Sequence, residues 1–315
     1  MATAPATTPT DAAAQTQPAP LAFFRRAPVL GLVIVTMMLC EKMLAHSYTA
    51  ITIYVLPAPW KYIVPGVIGA FGVWLVIRGM GRDEVRGSLL GYFGGVLIWM
   101  SWFESGNPVL AHLAQIPPAL PEDGNMMAGL LGEHIFLQMS GMFCLTSLFF
   151  LMLNKDVRCR MLVWIRRRIG LGEVVGPPTQ AYRPNVARVA AFEYFFVTWF
   201  MYVLMITIID PRLFGLYHPV TYTLSALVSL WGLYLLYKCT QQREAGLAIR
   251  YGIGAVGVAW FIPETFAFYE LLYEFYLRAD KHPIAMATVL LLYVFCFLVL
   301  WKTPIDPRTG RAARE

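Results

Sequence analysis

The chain has 315 residues, of which 58% are hydrophobic and 14% are charged. Soluble domains are about half hydrophobic and about a quarter charged, so this composition excludes a soluble globular protein. At about 20 apolar residues per bilayer crossing, the length allows about eight spans and leaves no room for a large soluble catalytic domain. We therefore expect an all-α integral membrane protein.

Apolar segments separated by proline, glycine and charged residues predict eight transmembrane helices. These helices cover 28–56, 60–80, 86–105, 126–153, 188–210, 218–239, 246–278 and 283–302. Pro263 should interrupt the seventh helix about one turn earlier, near Ala259 and Trp260. The expected organisation is a disordered cytoplasmic tail (1–26), a four-helix membrane unit (27–154), a basic cytoplasmic loop (155–187), a second four-helix membrane unit (188–303) and a cytoplasmic tail (304–315).

Positive charge is concentrated in alternate loops of this chain, whose formal net charge is +6. Loops rich in Lys and Arg remain in the cytoplasm, so both termini are predicted to be cytoplasmic, in a protein of the cell inner membrane. The loops on the other side hold only Lys61, Arg212, Arg278 and Lys281. Basic residues scattered over short loops do not form a nucleic-acid surface, so no nucleic acid is expected as a partner. The expected partners are the lipid bilayer and, as an open alternative, other membrane subunits.

Apolar and basic residues alternate over 157–169, inside the basic loop. This pattern predicts a short amphipathic helix on anionic lipid headgroups. A loop that serves only to orient the protein is the alternative interpretation.

The two halves of the sequence align at a shift of 160 residues, the separation of Glu104 and Glu264. At the same shift Glu84 falls on Glu244 and Gly72 falls on Gly232. A duplicated four-helix unit has an even number of spans, so the two repeats would be parallel and related by an axis along the membrane normal. Glu104 and Glu264 would then face each other across that axis.

Several ionisable residues lie within the predicted spans, towards the outer side. Such residues cost about 2.5–3.5 kcal/mol each at the centre of a membrane, so they need an interior partner or a water-filled cavity. They also mark proton and ion pathways in membrane proteins. The predicted proton or substrate pathway consists of Glu41, Lys42, Glu104, Glu264 and Glu270.

All five histidines fall in the outer half or in outer loops, near carboxylates. Imidazole and carboxylate side chains bind transition metals, and the candidate metal ligands are His46, His134, Glu133 and His218. Their spacing matches no metal-binding motif, so structural histidines remain an alternative. Haem ligation by His46 with His134, and quinone stacking on the abundant aromatic residues, are further alternatives, which leaves the cofactor open among a transition metal, haem and quinone.

Three function classes follow. The preferred one is a transporter or channel that moves protons, a metal cation or a small solute through a cavity lined by Glu and His on the outer side. The first alternative is a quinone- or haem-binding membrane subunit of an electron-transfer complex. The second is a membrane metalloenzyme, an oxidoreductase or hydrolase with a Glu/His site.

Overall fold

The computed structural model describes residues 21–116, 135–157, 159–179 and 185–304. All regular secondary structure within these ranges is helical, which confirms the predicted all-α class. The start of the fourth predicted span, with Glu133 and His134, lies outside the described residues. So do 1–20 and 305–315, which contain most of the two predicted tails.

Thirteen α-helices make up most of the described chain. They are α1 (Val29–Ala50), α2 (Trp60–Gly79), α3 (Glu84–Ile98), α4 (Gly106–Leu113), α5 (Ile135–Met139), α6 (Gly141–Leu153), α7 (Arg160–Arg168), α8 (Leu171–Val175), α9 (Val186–Ile209), α10 (Pro219–Thr240), α11 (Ala245–Ala259), α12 (Phe261–Phe268) and α13 (Pro283–Trp301). Wider π-helical turns extend α1 over Ile51–Val55 and α3 over Trp99–Glu104. Short 3-10 helices cover Phe23–Arg25 and Phe275–Arg278.

Seven helical segments among the described residues are long and apolar enough to cross a membrane. They are Val29–Val55, Trp60–Gly79, Ile135–Leu153, Val186–Ile209, Pro219–Thr240, Ala245–Phe268 and Pro283–Trp301. The chain is therefore a multi-pass membrane protein. The third predicted span corresponds to α3 and its π-turn, a helix rich in glycine that carries Glu84, Arg86 and Glu104 and so falls outside the seven.

The helices α3 and α11 form the centre of the bundle. The first contacts α2, α9, α11 and α13, and the second contacts α1, α9, α10 and α3. Glycine permits these close contacts: a Cβ atom at Gly91 would overlap the backbone of Ala187 in α9. A helix surrounded by other helices packs closely through small residues such as glycine. Glycine is less hydrophobic than the large apolar residues that face lipid, which explains the low hydropathy of α3.

The bundle has two chemically different ends. The loops at 56–59, 210–218 and 269–282 share one end, where Tyr269 donates a hydrogen bond to the Leu216 carbonyl oxygen. We call it the histidine end, because His46, His218 and His282 lie there. The loops at 80–83 and 241–244 and the described residues between α6 and α9 form the opposite end, which we call the arginine end.

The seventh predicted span is shorter than the sequence pattern indicated. It was expected over 246–278, whereas α11 stops at Ala259 and α12 stops at Phe268. The break at Trp260 confirms the predicted effect of Pro263, which lacks the N–H that would bond the Ala259 carbonyl oxygen. Apolar and aromatic residues continue past Phe268, but between α12 and α13 only the short 3-10 helix Phe275–Arg278 is helical.

The amphipathic segment predicted over 157–169 contains the helix α7. Its polar residues do not all face away from the protein: Leu162 and Arg166 are both buried, whereas Trp164 is exposed. Arg166 donates a hydrogen bond to the Asn154 carbonyl oxygen at the end of α6. One arginine of this helix therefore anchors it to the bundle.

Candidate functional site

A small cavity between α1, α9, α11 and α12 brings four ionisable side chains together inside the bundle. Its volume is about 30 Å³, which accommodates roughly two water molecules. The ionisable side chains Lys42, His46, Glu104 and Glu264 line it. Tyr194, Thr198, Tyr202 and Trp260 add further polar atoms to its wall. Helices from both halves of the sequence thus contribute to one polar chamber.

His46 and Glu264 form a partly buried hydrogen-bonded pair at the cavity. Nδ1 of His46 lies 2.8 Å from the carbonyl oxygen of Lys42, one turn earlier in α1. A carbonyl oxygen only accepts hydrogen bonds, so Nδ1 carries a proton. Nε2 lies 3.2 Å from Oε1 of Glu264, and this contact also needs a proton. That proton resides either on the imidazole, as an ion pair, or on the carboxyl group, as a neutral pair.

Glu264 receives a second hydrogen bond from Trp260, whose Nε1 lies 2.7 Å from Oε1. The break between α11 and α12 places Trp260 just before the first turn of α12, where its indole reaches the carboxylate four residues later. The ring of Trp260 also lies 5.5 Å from the ring of His46. Both members of the pair are therefore held in place by rigid aromatic packing.

Glu41 and Lys42 are neighbours in α1 and are linked through a tyrosine of α9. Nζ of Lys42 donates to the hydroxyl of Tyr194 at 2.9 Å, and that hydroxyl donates to Oε1 of Glu41 at 3.0 Å. Tyr92 of α3 donates to Oε2 of Glu41 at 2.8 Å. Lys42 also contacts Thr198 Oγ1 and lies 4.5 Å from the centre of the Tyr194 ring. These contacts satisfy two charges that burial would otherwise destabilise.

Glu104 accepts a hydrogen bond from Trp99, with Nε1 and Oε2 separated by 3.0 Å. This Trp–Glu pair matches the pair formed by Trp260 and Glu264, except that its residues are five apart rather than four. The π-turn over Trp99–Glu104 contains one extra residue relative to an α-helix, which accounts for the difference. At the 160-residue shift Trp99 falls on Ala259 and Trp260 falls on Met100, so that alignment does not pair the two tryptophans.

Four of the five residues in the predicted pathway come together. Glu41 and Lys42 adjoin the cavity that Lys42, Glu104 and Glu264 line. Glu270 is not part of the group: it lies after the end of α12, exposed, with a left-handed backbone at φ 58°. The prediction placed it within the seventh span, and the early end of that helix removes it from the membrane interior.

The predicted metal ligands are dispersed or not described. Both nitrogens of His46 have partners in the protein, and Nδ1 of His218 accepts the backbone N–H of Val220 at the start of α10. Glu133 and His134 lie outside the described residues. Within the described ranges, no three His, Cys, Asp or Glu side chains are grouped in a way that could hold a metal ion. A metal site that includes Glu133 and His134 stays a prediction.

The sequence patterns did not single out several partners of the charged residues. Tyr92, Tyr194 and Thr198 stand in apolar segments, where hydroxyl-bearing residues are common and no spacing distinguishes them.

A second polar cluster lies towards the arginine end, between the two central helices. Arg250 of α11 donates to Oε1 of Glu84 at 2.7 Å and to Oγ of Ser88 at 3.1 Å, both in α3. Ser88 is fully buried, and it lies one helical turn before Tyr92. Polar contacts therefore occur at successive levels of α3, from Glu84 to Glu104.

Comparison of the chain with protein-family models, curated protein sequences and solved structures finds no match. The assignment of function rests on the geometry of the described residues.

Proposed function

We propose that this protein moves protons across the membrane, or uses their movement to drive another solute, through the buried group formed by Glu41, Lys42, His46, Glu104 and Glu264. The observation that carries the proposal is the His46–Glu264 contact, which needs one proton shared between two titratable groups. Intramembrane carboxylate and imidazole groups in contact are the usual components of proton relays.

The charges of the group support a proton as the ion that it exchanges. The His46–Glu264 pair is formally neutral wherever its shared proton resides. The charge of Lys42 balances one of the two remaining carboxylates, Glu41 and Glu104. One negative charge is left over, and binding one more proton neutralises the group. The cavity has room for water to carry that proton between the carboxylates of Glu104 and Glu264.

The arrangement also supports two parallel repeats and eight spans as part of the proposal. The Trp99–Glu104 and Trp260–Glu264 pairs occupy matching places in the two central helices, and both carboxylates line one cavity. Packing on several sides of α3 favours its crossing the membrane as the eighth span. Eight spans place both termini on the same side, which the distribution of basic residues predicts to be the cytoplasmic side of an inner membrane.

Proton flux into liposomes tests the proposal. The purified protein is reconstituted with an internal pH-sensitive dye, and a potassium diffusion potential drives proton entry. Glu264→Gln and His46→Gln each preserve a hydrogen-bonding group but remove titration, so we expect both to reduce the flux by on the order of a hundredfold. The matched control is Glu173→Gln, since Glu173 is an exposed carboxylate at the arginine end. Wild-type flux in both site variants would contradict the proposal.

The redox-subunit and metalloenzyme hypotheses predict bound chromophore, quinone or metal. The contacts of His46 favour them less, because a metal or haem iron at Nε2 would have to displace Glu264. An absorption spectrum, quinone extraction and elemental analysis of the purified protein separate these classes from proton transport. Stoichiometric iron, copper or quinone would replace the transport proposal with one of them.

A further inference from the structure

The segment between α12 and α13 lies at the histidine end and packs against the His46–Glu264 pair. Its 3-10 helix, Phe275–Arg278, is fixed to α1 by a hydrogen bond from Ser47 Oγ to the carbonyl oxygen of Tyr276. The ring of Tyr276 is buried and lies 5.7 Å from the ring of His46 and 6.0 Å from the ring of Trp260. Tyr276 therefore contacts the rings that hold the pair in place.

Glu274 is the carboxylate next to Tyr276. The Tyr276 hydroxyl donates to Oε1 of Glu274 at 2.6 Å, and the side chain of Glu274 is only partly exposed. Glu274 lies outside the membrane-spanning segments, at the boundary between water and the bundle. It was absent from the pathway predicted from the sequence.

The charged and titratable groups around Glu274 come from several elements. Glu264 of α12, His46 of α1 and Tyr202 of α9 interact with it electrostatically. Tyr276, in the same segment, donates a hydrogen bond to it. Burial and the negative charge of Glu264 raise the pKa of Glu274, and the hydrogen bond from Tyr276 and the charge of His46 partly oppose this change. A carboxyl group with a raised pKa is more often protonated near neutral pH and exchanges protons readily.

We propose that Glu274 is the residue that takes up protons from water at the histidine end and delivers them to the His46–Glu264 pair. The inference rests on the proposed function and adds to it the residue through which the same site exchanges protons with water. In each cycle a hydronium ion protonates the Glu274 carboxylate and leaves as water. The O–H bond of the resulting acid then breaks as the proton binds the Glu264 carboxyl group, and the His46–Glu264 pair passes one proton on to Glu104 across the cavity. Glu274 thereby returns to its charged form, and the reverse sequence releases protons.

Asp280 provides a matched control in the same segment. It is an exposed carboxylate whose oxygens lie 3.3 Å from the guanidinium nitrogens of Arg278. The hydrogen bonds from Arg278 lower the pKa of Asp280. It therefore keeps its negative charge at neutral pH, and it contributes to the field at the surface without exchanging protons.

The test compares Glu274→Gln and Asp280→Asn in the liposome flux assay, with dilute and then concentrated small buffers such as imidazole on one side at a time. We expect Glu274→Gln to lower proton flux roughly tenfold or more in dilute buffer, and Asp280→Asn to leave it unchanged. Concentrated buffer at the histidine end should restore the flux of Glu274→Gln, because a mobile acid can replace the missing carboxyl group. The same buffer at the arginine end should not.

The outcomes separate this inference from the proposed function. Full flux of Glu274→Gln in dilute buffer overturns the inference, and so does a loss that buffer cannot restore, since that result indicates a structural role. If Glu264→Gln loses flux while Glu274→Gln gives either of these two results, the proposed function is still supported and only the role of Glu274 is rejected. If the wild-type protein moves no protons, a second measurement is needed. The infrared band of the Glu264 carboxyl group is identified by its absence in Glu264→Gln, and its change after a pH jump is then followed in time. Equal rates of change in wild type and Glu274→Gln would then overturn the inference.

Discussion

At the scale of single residues, the structure shows how buried charges obtain partners. Asp210 follows α9 at the histidine end and is buried, with Arg212 donating to both of its carboxylate oxygens. Gln138 of α5 donates to Oδ2 at 2.7 Å. The hydrogen bonds from Arg212 lower the pKa of Asp210 to about 2. The carboxylate therefore ties the end of one span to the start of another.

Asp210→Asn should lower the stability of the folded protein at neutral pH. The folded pKa of about 2 lies below the usual value near 3.9, so the stabilisation is complete above about pH 4 and is lost as the pH falls through 2. We expect the free energy of unfolding to fall by about 1–2 kcal/mol. This is less than the full pKa shift would correspond to, because Arg212 is half exposed and solvent weakens its interaction with Asp210. Thermal unfolding in detergent should show the difference between wild type and variant shrinking from pH 4 to pH 2. A difference that is independent of pH would contradict this account.

Tyr92→Phe should destabilise the protein through Glu41. The change removes one of the two phenol hydroxyls that donate to this buried carboxylate, a loss of about 1–3 kcal/mol. If the loss arises from Glu41, then Tyr92→Phe should have a much smaller effect in a Glu41→Gln background. Thermal unfolding of the four proteins in this double-mutant cycle measures the coupling. Additive losses would show that Tyr92 acts through packing instead.

At this scale the sequence predicted the ionisable residues of the site but not their pairing. Rare charges in apolar spans are visible without a structure, so Glu41, Lys42, Glu104 and Glu264 could be identified. Pairing depends on how the helices rotate about their axes, and near-uniform apolar sequences carry little information about rotation. In the structure Glu264 contacts His46, whereas Lys42 bonds Tyr194 and Thr198.

At the scale of elements, glycine determines which helices meet. Gly91 lies against the Ala187 backbone at the crossing of α3 and α9, whereas Gly254 of α11 has no atom near the position of an added Cβ. Both residues lie inside central helices, so they form a matched pair.

Gly91→Ala should separate α3 from α9 and lower stability by about 1–3 kcal/mol or prevent folding. Gly254→Ala should instead be neutral or stabilising by about 0.5–1 kcal/mol, because alanine loses less backbone entropy in a helix than glycine does. Folded yield and thermal unfolding compare the two variants. Equal losses for both would show that helix crossing does not depend on the contact at Gly91.

The ends of the helices were harder to predict than their existence. Apolar periodicity gave the positions of α1, α2, α9, α10 and α13 closely, because each spans a full bilayer thickness. The segment after Phe268 is rich in leucine and aromatic residues, yet the helix ends ten residues before the predicted boundary at 278. Tertiary contacts such as that of Ser47 with Tyr276 hold the segment in another conformation. Hydropathy does not distinguish residues that face lipid from residues that cover a cavity.

At the scale of the whole molecule, the number of crossings determines where the termini lie. Seven apolar helices alone would place them on opposite sides, and a crossing by α3 and its π-turn restores the same side. Reporter fusions at each terminus, active either in the cytoplasm or outside it, measure this directly. We expect both fusions to report the cytoplasm, because α3 is packed among α2, α9 and α11 along its length. If the two fusions report opposite sides of the membrane, α3 does not cross it.

The two carboxylates that line the cavity have different neighbours. Glu104 accepts a hydrogen bond from the Trp99 indole, whereas Glu264 is bonded by the Trp260 indole and contacts the His46 imidazole. A proton that crosses the cavity therefore leaves one kind of acid and reaches another. We expect the flux in liposomes to differ when the sign of the membrane potential is reversed.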